Sequence, residues 1–149
     1  MKHFVLFTFA TLLASCSSLK KGVDYGAFAL TAKEQLLISV KAVLTSKLDE
    51  TNDPIDEVKE YTVGESVKPI IYLTWFELST PQKYYVKIKW ISPNDELFEQ
   101  NDYLFTAKEP TWYTWHFITL EDKLAPRGNW KIKIYINNEL KKDLKFTLK

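Results

Sequence analysis

Trp130-Lys131-Ile132-Lys133-Ile134-Tyr135-Ile136 alternates large apolar residues with mostly polar ones and never breaks step. In a strand, successive side chains point to opposite faces. This period therefore puts Trp130, Ile132, Ile134 and Ile136 on one side and Lys131, Lys133 and Tyr135 on the other. A helix would scatter the same residues around its circumference, so the segment reads as a half-buried strand. One buried face needs a second layer to cover it. The same period recurs upstream. Tyr84, Val86, Ile88 and Trp90 alternate with Tyr85, Lys87 and Lys89, and residues 70–76 are largely apolar in both registers. Glu96 to Phe105, Thr111 to Leu120 and Leu140 to Leu148 are further strand candidates. The breaks between them carry turn chemistry. Pro93 presets φ in Ser92-Pro93-Asn94-Asp95, where Asn94 tolerates the left-handed region, and Asn137-Asn138 can hold positive φ at the tip of a hairpin. Short strands punctuated in this way predict an all-β protein, a single antiparallel sandwich of about seven or eight strands.

Residues 31–44 send two signals. Thr31-Ala32-Lys33-Glu34 fits a capping box, with Leu36, Leu37, Val40, Val43 and Leu44 as a helical stripe. Ile38, Val40, Ala42 and Leu44 also alternate with Ser39, Lys41 and Thr45, and the β-branched residues clustered there favour strand. A helical turn at 31–35 that feeds a strand reconciles the two.

The N-terminus sets the compartment. Met1-Lys2-His3 is a short basic start, Phe4 to Leu13 is an apolar run, and Ala14, Ser15 and Cys16 follow. Basic start, apolar run and small residues are the parts of an export signal, and the run falls short of the ~20 apolar residues that span a bilayer. Leu13-Ala14-Ser15-Cys16 resembles the bacterial lipobox. That resemblance implies cleavage between Ser15 and Cys16, acyl chains on Cys16 and a membrane anchor. Ser17 after the cysteine, with no Asp there, implies the outer membrane by the enterobacterial sorting rule. Cys16 is the only cysteine, so no intramolecular disulfide can form. The expected organisation is a signal peptide at 1–15, a polar, glycine-containing tether at 16–30 and a β-sandwich at 31–149.

The second half of the chain is similar to immunoglobulin-like modules of exported bacterial proteins. Trp90-Ile91-Ser92-Pro93-Asn94 matches their W-x-x-P-(D/N)-G pattern with Asp95 where glycine is usual. Pro126-Arg127-Gly128-Asn129-Trp130 followed by Ile132, Ile134 and Tyr135 matches P-G-x-W-x-V-x-V-Y with Arg127 interposed, and Phe146 closes the pattern. The resemblance implies the immunoglobulin-like sandwich. It carries no catalytic residues, because such modules serve many unrelated roles.

Chemistry is sparse. Once the signal is removed the chain keeps 19 basic and 19 acidic residues, and a nucleic-acid partner is not expected without a basic excess. His116 is then the sole histidine and shares a strand face with Trp112, Thr114 and Ile118, which suits a structural role. The four glycines form no phosphate loop, so no cofactor is expected. Asp49-Glu50-Thr51-Asn52-Asp53-Pro54-Ile55-Asp56-Glu57 reads as a solvated inter-strand loop; it lacks the spacing and the turn glycine of an EF-hand, and no metal is expected. Lys131, Lys133, Lys141, Lys142, Lys145 and Lys149 gather in the last hairpin, which suits a charge-protected sheet edge or an acidic partner.

Aromatic residues are the most suggestive feature. Trp112 lies on one face of its strand and Tyr113, Trp115 and Phe117 on the other, so both faces are apolar. One face belongs to the core. The other needs a cover, either the segment 31–48, a partner protein, or a sugar stacked on Trp112, Tyr113 and Trp115. The expected function is that of an outer-membrane lipoprotein, a non-enzymatic binding or assembly subunit with an envelope protein as partner. A small lipidated subunit of a secretion machine and a glycan-binding module are the alternatives.

Overall fold

The computed structural model describes residues 30–149; the expected signal peptide, Cys16 and most of the expected tether lie outside the described residues. The chain opens with a short helix, α1 (Ala32–Leu37). The Thr31 hydroxyl accepts from the Glu34 backbone N–H (3.2 Å) and the Glu34 carboxylate accepts from the Thr31 backbone N–H (2.8 Å). This capping box satisfies donors that a helix start otherwise leaves unpaired. Ile38 then turns extended and β1 (Ser39–Thr45) begins, so both signals in 31–44 are real and lie end to end.

Six more long strands follow: β4 (Ile70–Phe76), β5 (Gln82–Ile91), β6 (Leu97–Ala107), β7 (Trp112–Phe117), β9 (Gly128–Ile136) and β10 (Glu139–Leu148). Three two-residue strands, β2 (Glu60–Tyr61), β3 (Ser66–Val67) and β8 (Leu120–Glu121), were not foreseen. One sheet has the order β1-β4-β7 and the other β2-β10-β9-β5-β6, while β3 pairs with β8. The chain crosses between sheets from β4 to β5, from β6 to β7 and again into β9, with hairpins β5–β6 and β9–β10 inside the second sheet. Two sheets with these crossings, antiparallel except for the short parallel pairing of β2 with β10, form an immunoglobulin-like sandwich. The strand expected over 111–120 stops at Phe117, and Ile118 leads instead into β8.

Alternation decides what is buried. Trp130, Ile132, Ile134 and Ile136 of β9 and Tyr84, Val86, Ile88 and Trp90 of β5 are all fully buried. Opposite them the first sheet contributes Ile71, Leu73 and Trp75. Burying ~200 Å² of one indole contributes about 5 kcal/mol, so the three buried tryptophans dominate the core. Trp130 stacks on Phe146 (5.8 Å, 17°), meets Phe98 edge-on (4.9 Å) and donates its indole N–H to Pro126 O (3.0 Å). That bond pins the start of β9 to the turn before it.

Turn residues resolve as the chemistry requires, with one shift. Asn137 and Asn138 hold φ of 47° and 68° at the β9–β10 turn. In the β5–β6 turn the left-handed residue is Asp95 (φ 63°), where the pattern it resembles carries glycine, rather than Asn94. Gly128 has φ 127°, and a Cβ there would sit 3.2 Å from Pro93, so the two halves of the Trp-Pro and Pro-Gly-Trp pattern meet in space. The lysine-rich hairpin is only partly an edge. β9 is central in its sheet, and β10 is open except where Thr147 and Leu148 pair with β2.

Candidate functional site

The site grows from the pairing of β7 with β4, where Phe117 faces Ile70, Trp115 faces Tyr72 and Tyr113 faces Thr74. Partners across a ladder share a face. Trp75, opposite Trp112, is fully buried, so the alternate register carrying Tyr113, Trp115 and Phe117 points out of the sandwich. Their exposures are 58%, 41% and 41%, a row of rings on the outer surface of a sheet. Trp115 and Phe117 lie nearly parallel (17°, centroids 6.4 Å apart), and the Lys68 ammonium stands 5.3 Å over the Phe117 ring.

Trp112 does not join this row. It stacks on Phe105 (6.4 Å, 2°) and packs against the core, because its register is the inward one. Thr114 and His116 share that side. The Thr114 hydroxyl accepts the Trp75 indole N–H (2.9 Å) and lies 2.7 Å from the Tyr103 hydroxyl. His116 rests against the Tyr103 ring (4.7 Å), where burial lowers its pKa against an opposing pull from Glu99.

The expected cover is corrected too. Residues 39–45 do not lie across the aromatic face; they extend the sheet as an edge strand beside β4. What reaches over the face is the acidic loop that follows. The Asp53 carboxylate accepts the Tyr72 hydroxyl (2.9 Å), and Tyr72 is almost wholly buried. Burial first, then this bond, pushes the Tyr72 pKa up to about 12. Tyr72 leans on Tyr113 with ring centroids 6.2 Å apart.

The loop has a built shape. Asp49 Oδ1 accepts the backbone N–H groups of Thr51 (2.8 Å) and Asp53 (2.9 Å), and Asn52 sits at φ 67°. These bonds, the one from Asp53 foremost, hold the Asp49 pKa below its ordinary value. Asp56 accepts from the Ser46 hydroxyl (2.5 Å), the Ser46 N–H (2.8 Å) and the Thr45 hydroxyl, and its pKa is lowered by the same contacts. The carboxylates of Asp49 and Asp56 are thus engaged by backbone N–H groups and hydroxyls of the loop and the end of β1. Among the described residues no group of three His, Cys, Asp or Glu converges as metal ligands.

Loop and row enclose an open cleft of about 520 Å³ lined by Thr51, Asn52, Asp53, Tyr72, Tyr113 and Trp115. Of the residues singled out from sequence, Tyr113 and Trp115 are brought together here. Tyr72 and the loop tip were missed as site residues. A doubly apolar run at 70–76 and an acidic tract at 49–57 were both visible, but no local signal says that they touch. Elsewhere the basic hairpin is partly spent on structure. Lys141 donates to Gln35 O (2.7 Å) and Glu139 (2.9 Å), Lys149 to Glu60 (2.6 Å) and Lys131 to Asp95 (2.5 Å).

No protein-family model matches the sequence, and no curated protein matches it either. Among solved structures the chain is similar to an immunoglobulin-like protein of Pseudomonas aeruginosa, at 9% identity over 77% of this chain and 98% of that one, TM-score 0.49. It is also similar to a Pseudomonas fluorescens alkylpurine DNA glycosylase bound to DNA containing an abasic site analog, at 13% identity over 75% of this chain and 30% of that one, TM-score 0.48. A third is the CARDB domain of a Pyrococcus furiosus protein in complex with di-metal ions, at 10% identity over 75% and 87%, TM-score 0.43. The sandwich assignment stands on this chain's own strand order.

Proposed function

We propose that this chain is a lipid-anchored, non-catalytic binding subunit of the bacterial outer membrane that meets its partner through the outer face of β7. The observation that carries the reading is the row Tyr113, Trp115 and Phe117, three rings kept partly in solvent on a rigid sheet. Large aromatics left exposed together are the usual anchors of recognition surfaces, since they supply contact area with few rotors to freeze. The lipobox-like Leu13-Ala14-Ser15-Cys16 supports the anchor. Each buried methylene of an acyl chain contributes ~0.8 kcal/mol, so two or more chains hold the domain at the bilayer for good. Confinement to that layer raises the effective concentration of envelope partners.

Two experiments test the halves separately. Cys16→Ser abolishes palmitate labelling and detergent-phase partitioning; unchanged partitioning contradicts the anchor. A photo-crosslinking residue at position 117 captures one discrete envelope protein in intact cells, while the same residue at Lys33 does not. Equal capture from both positions contradicts a β7 interface.

A further inference from the structure

We infer that the cleft between the acidic loop and β7 binds a neutral sugar ring of the pyranose type, stacked on Trp115 and Tyr113 and hydrogen-bonded by Thr51, Asn52 and Asp53. The inference deepens the binding role proposed above by naming a ligand class for the Tyr113 end of the same face.

The chemistry of the walls selects the ligand. An aromatic ring face is electron-rich, and a pyranose presents a flat face of weakly positive C–H groups that fits against it. Sugars also carry hydroxyls around their rim, which need donors and acceptors beside the stacking platform. A purely apolar peptide would leave those polar groups unpaired. Here both kinds of residue line one cleft: the aromatic Tyr72, Tyr113 and Trp115 and the polar Thr51, Asn52 and Asp53. At about 520 Å³ the space falls within the range of small-molecule sites.

Charge narrows the class further. Five carboxylates lie in residues 49–57, and no lysine or arginine lines the cleft. An anionic ligand would enter a site whose one charged lining residue is the Asp53 carboxylate, so uronic acids and phosphorylated sugars are disfavoured. The site is also preorganised. Asp53 is held by its bond to Tyr72, the Thr51 hydroxyl lies 2.8 Å from Asp49 and 3.0 Å from Asp53, and the loop backbone is tied to Asp49. Little ordering is left for a ligand to impose.

Titration of the detergent-solubilised full chain with neutral trisaccharides (cellotriose, maltotriose and tri-N-acetylchitotriose), read by intrinsic tryptophan fluorescence, tests the site. At least one neutral trisaccharide shifts the emission saturably, and trigalacturonate binds at least threefold more weakly. Trp115→Ala weakens binding threefold or more. Asn52→Gly, which keeps the left-handed backbone and removes only the amide, also weakens it, by calorimetry in both cases. Leu124→Ala, an exposed side chain outside the cleft on the loop after β8, leaves it unchanged. No saturation with any neutral sugar, equal binding of the anionic one, or indifference to both Trp115→Ala and Asn52→Gly overturns the inference. These titrations contain no partner protein, so a failure here with intact crosslinking from position 117 removes the sugar site alone. Saturable sugar binding without crosslinking removes the protein interface alone.

Discussion

Replacing Trp130 by phenylalanine tests the account of what holds the sandwich together. Trp130 is fully buried, stacks on Phe146, meets Phe98 edge-on and ties β9 to the preceding turn through Pro126 O. Phenylalanine keeps a ring in the slot but removes the pyrrole edge, a volume of roughly two methylenes worth about 1.6 kcal/mol. The lost indole bond adds about 1 kcal/mol, and the void left beside Phe146 adds to it because the surroundings relax only in part. The expected destabilisation is about 2–3 kcal/mol. With a urea slope near 1.5 kcal/mol/M, the unfolding midpoint falls by about 1.3–2 M. Equilibrium urea denaturation of the Cys16→Ser chain, followed by far-UV circular dichroism, measures it. A shift below about 0.5 M at unchanged slope would refute the claim that this corner anchors β9.

Four further outcomes follow from the same structure. Gly128→Ala forces a Cβ to within 3.3 Å of two Pro93 atoms at φ 127° and is expected to cost about 1–3 kcal/mol in the same assay. Trp75→Ala and Trp115→Ala, on opposite faces of adjacent strands, are expected to separate: about 3–5 kcal/mol for the buried residue and about 1 kcal/mol or less for the outer one, by thermal melting. Burial keeps the folded pKa of His116 below its unfolded value near 6.5, so the unfolded chain binds more protons. Stability due to this residue is therefore present above pH 6.5 and is lost as pH falls below it, and His116→Gln flattens the slope of melting temperature between pH 7 and pH 5. Thr31→Ala removes the cap of α1 and speeds amide exchange at residues 32–37 without changing exchange in β9.

Much of the fold is legible in the chain because one physical rule, alternation against a single buried face, governs most of it. Residues 130–136 alternate so cleanly that neither period nor register is in doubt, and the asparagine pair and the proline turn mark where the chain reverses. Residues 70–76 are different. Both registers are apolar, and only pairing with β7 on one side and β1 on the other turns Ile71, Leu73 and Trp75 inward and puts Tyr72 on the outer face, where the acidic loop buries it. The same ambiguity placed Trp112 among the contact residues, although its register follows Trp75 into the core. β2, β3 and β8 escaped notice because two residues carry no period. The cleft was invisible for a related reason. Tyr72 and Asp53 are 19 residues apart and meet only because the loop after β1 folds back over the sheet, a contact set by topology. A positive φ at Asp95 was within reach, since the glycine usual at that position in the pattern it resembles marks a left-handed site.

Hydroxyl-radical footprinting of Tyr113, Trp115 and Phe117, compared between intact cells and the purified chain, bears most directly on the claim that the outer face of β7 is a binding surface. The account predicts strong oxidation of all three in the purified chain and marked protection in cells, with exposed Leu124, on the loop after β8, equally oxidised in both. Equal oxidation of Trp115 in cells and in isolation would show the face to be unoccupied and would contradict the account.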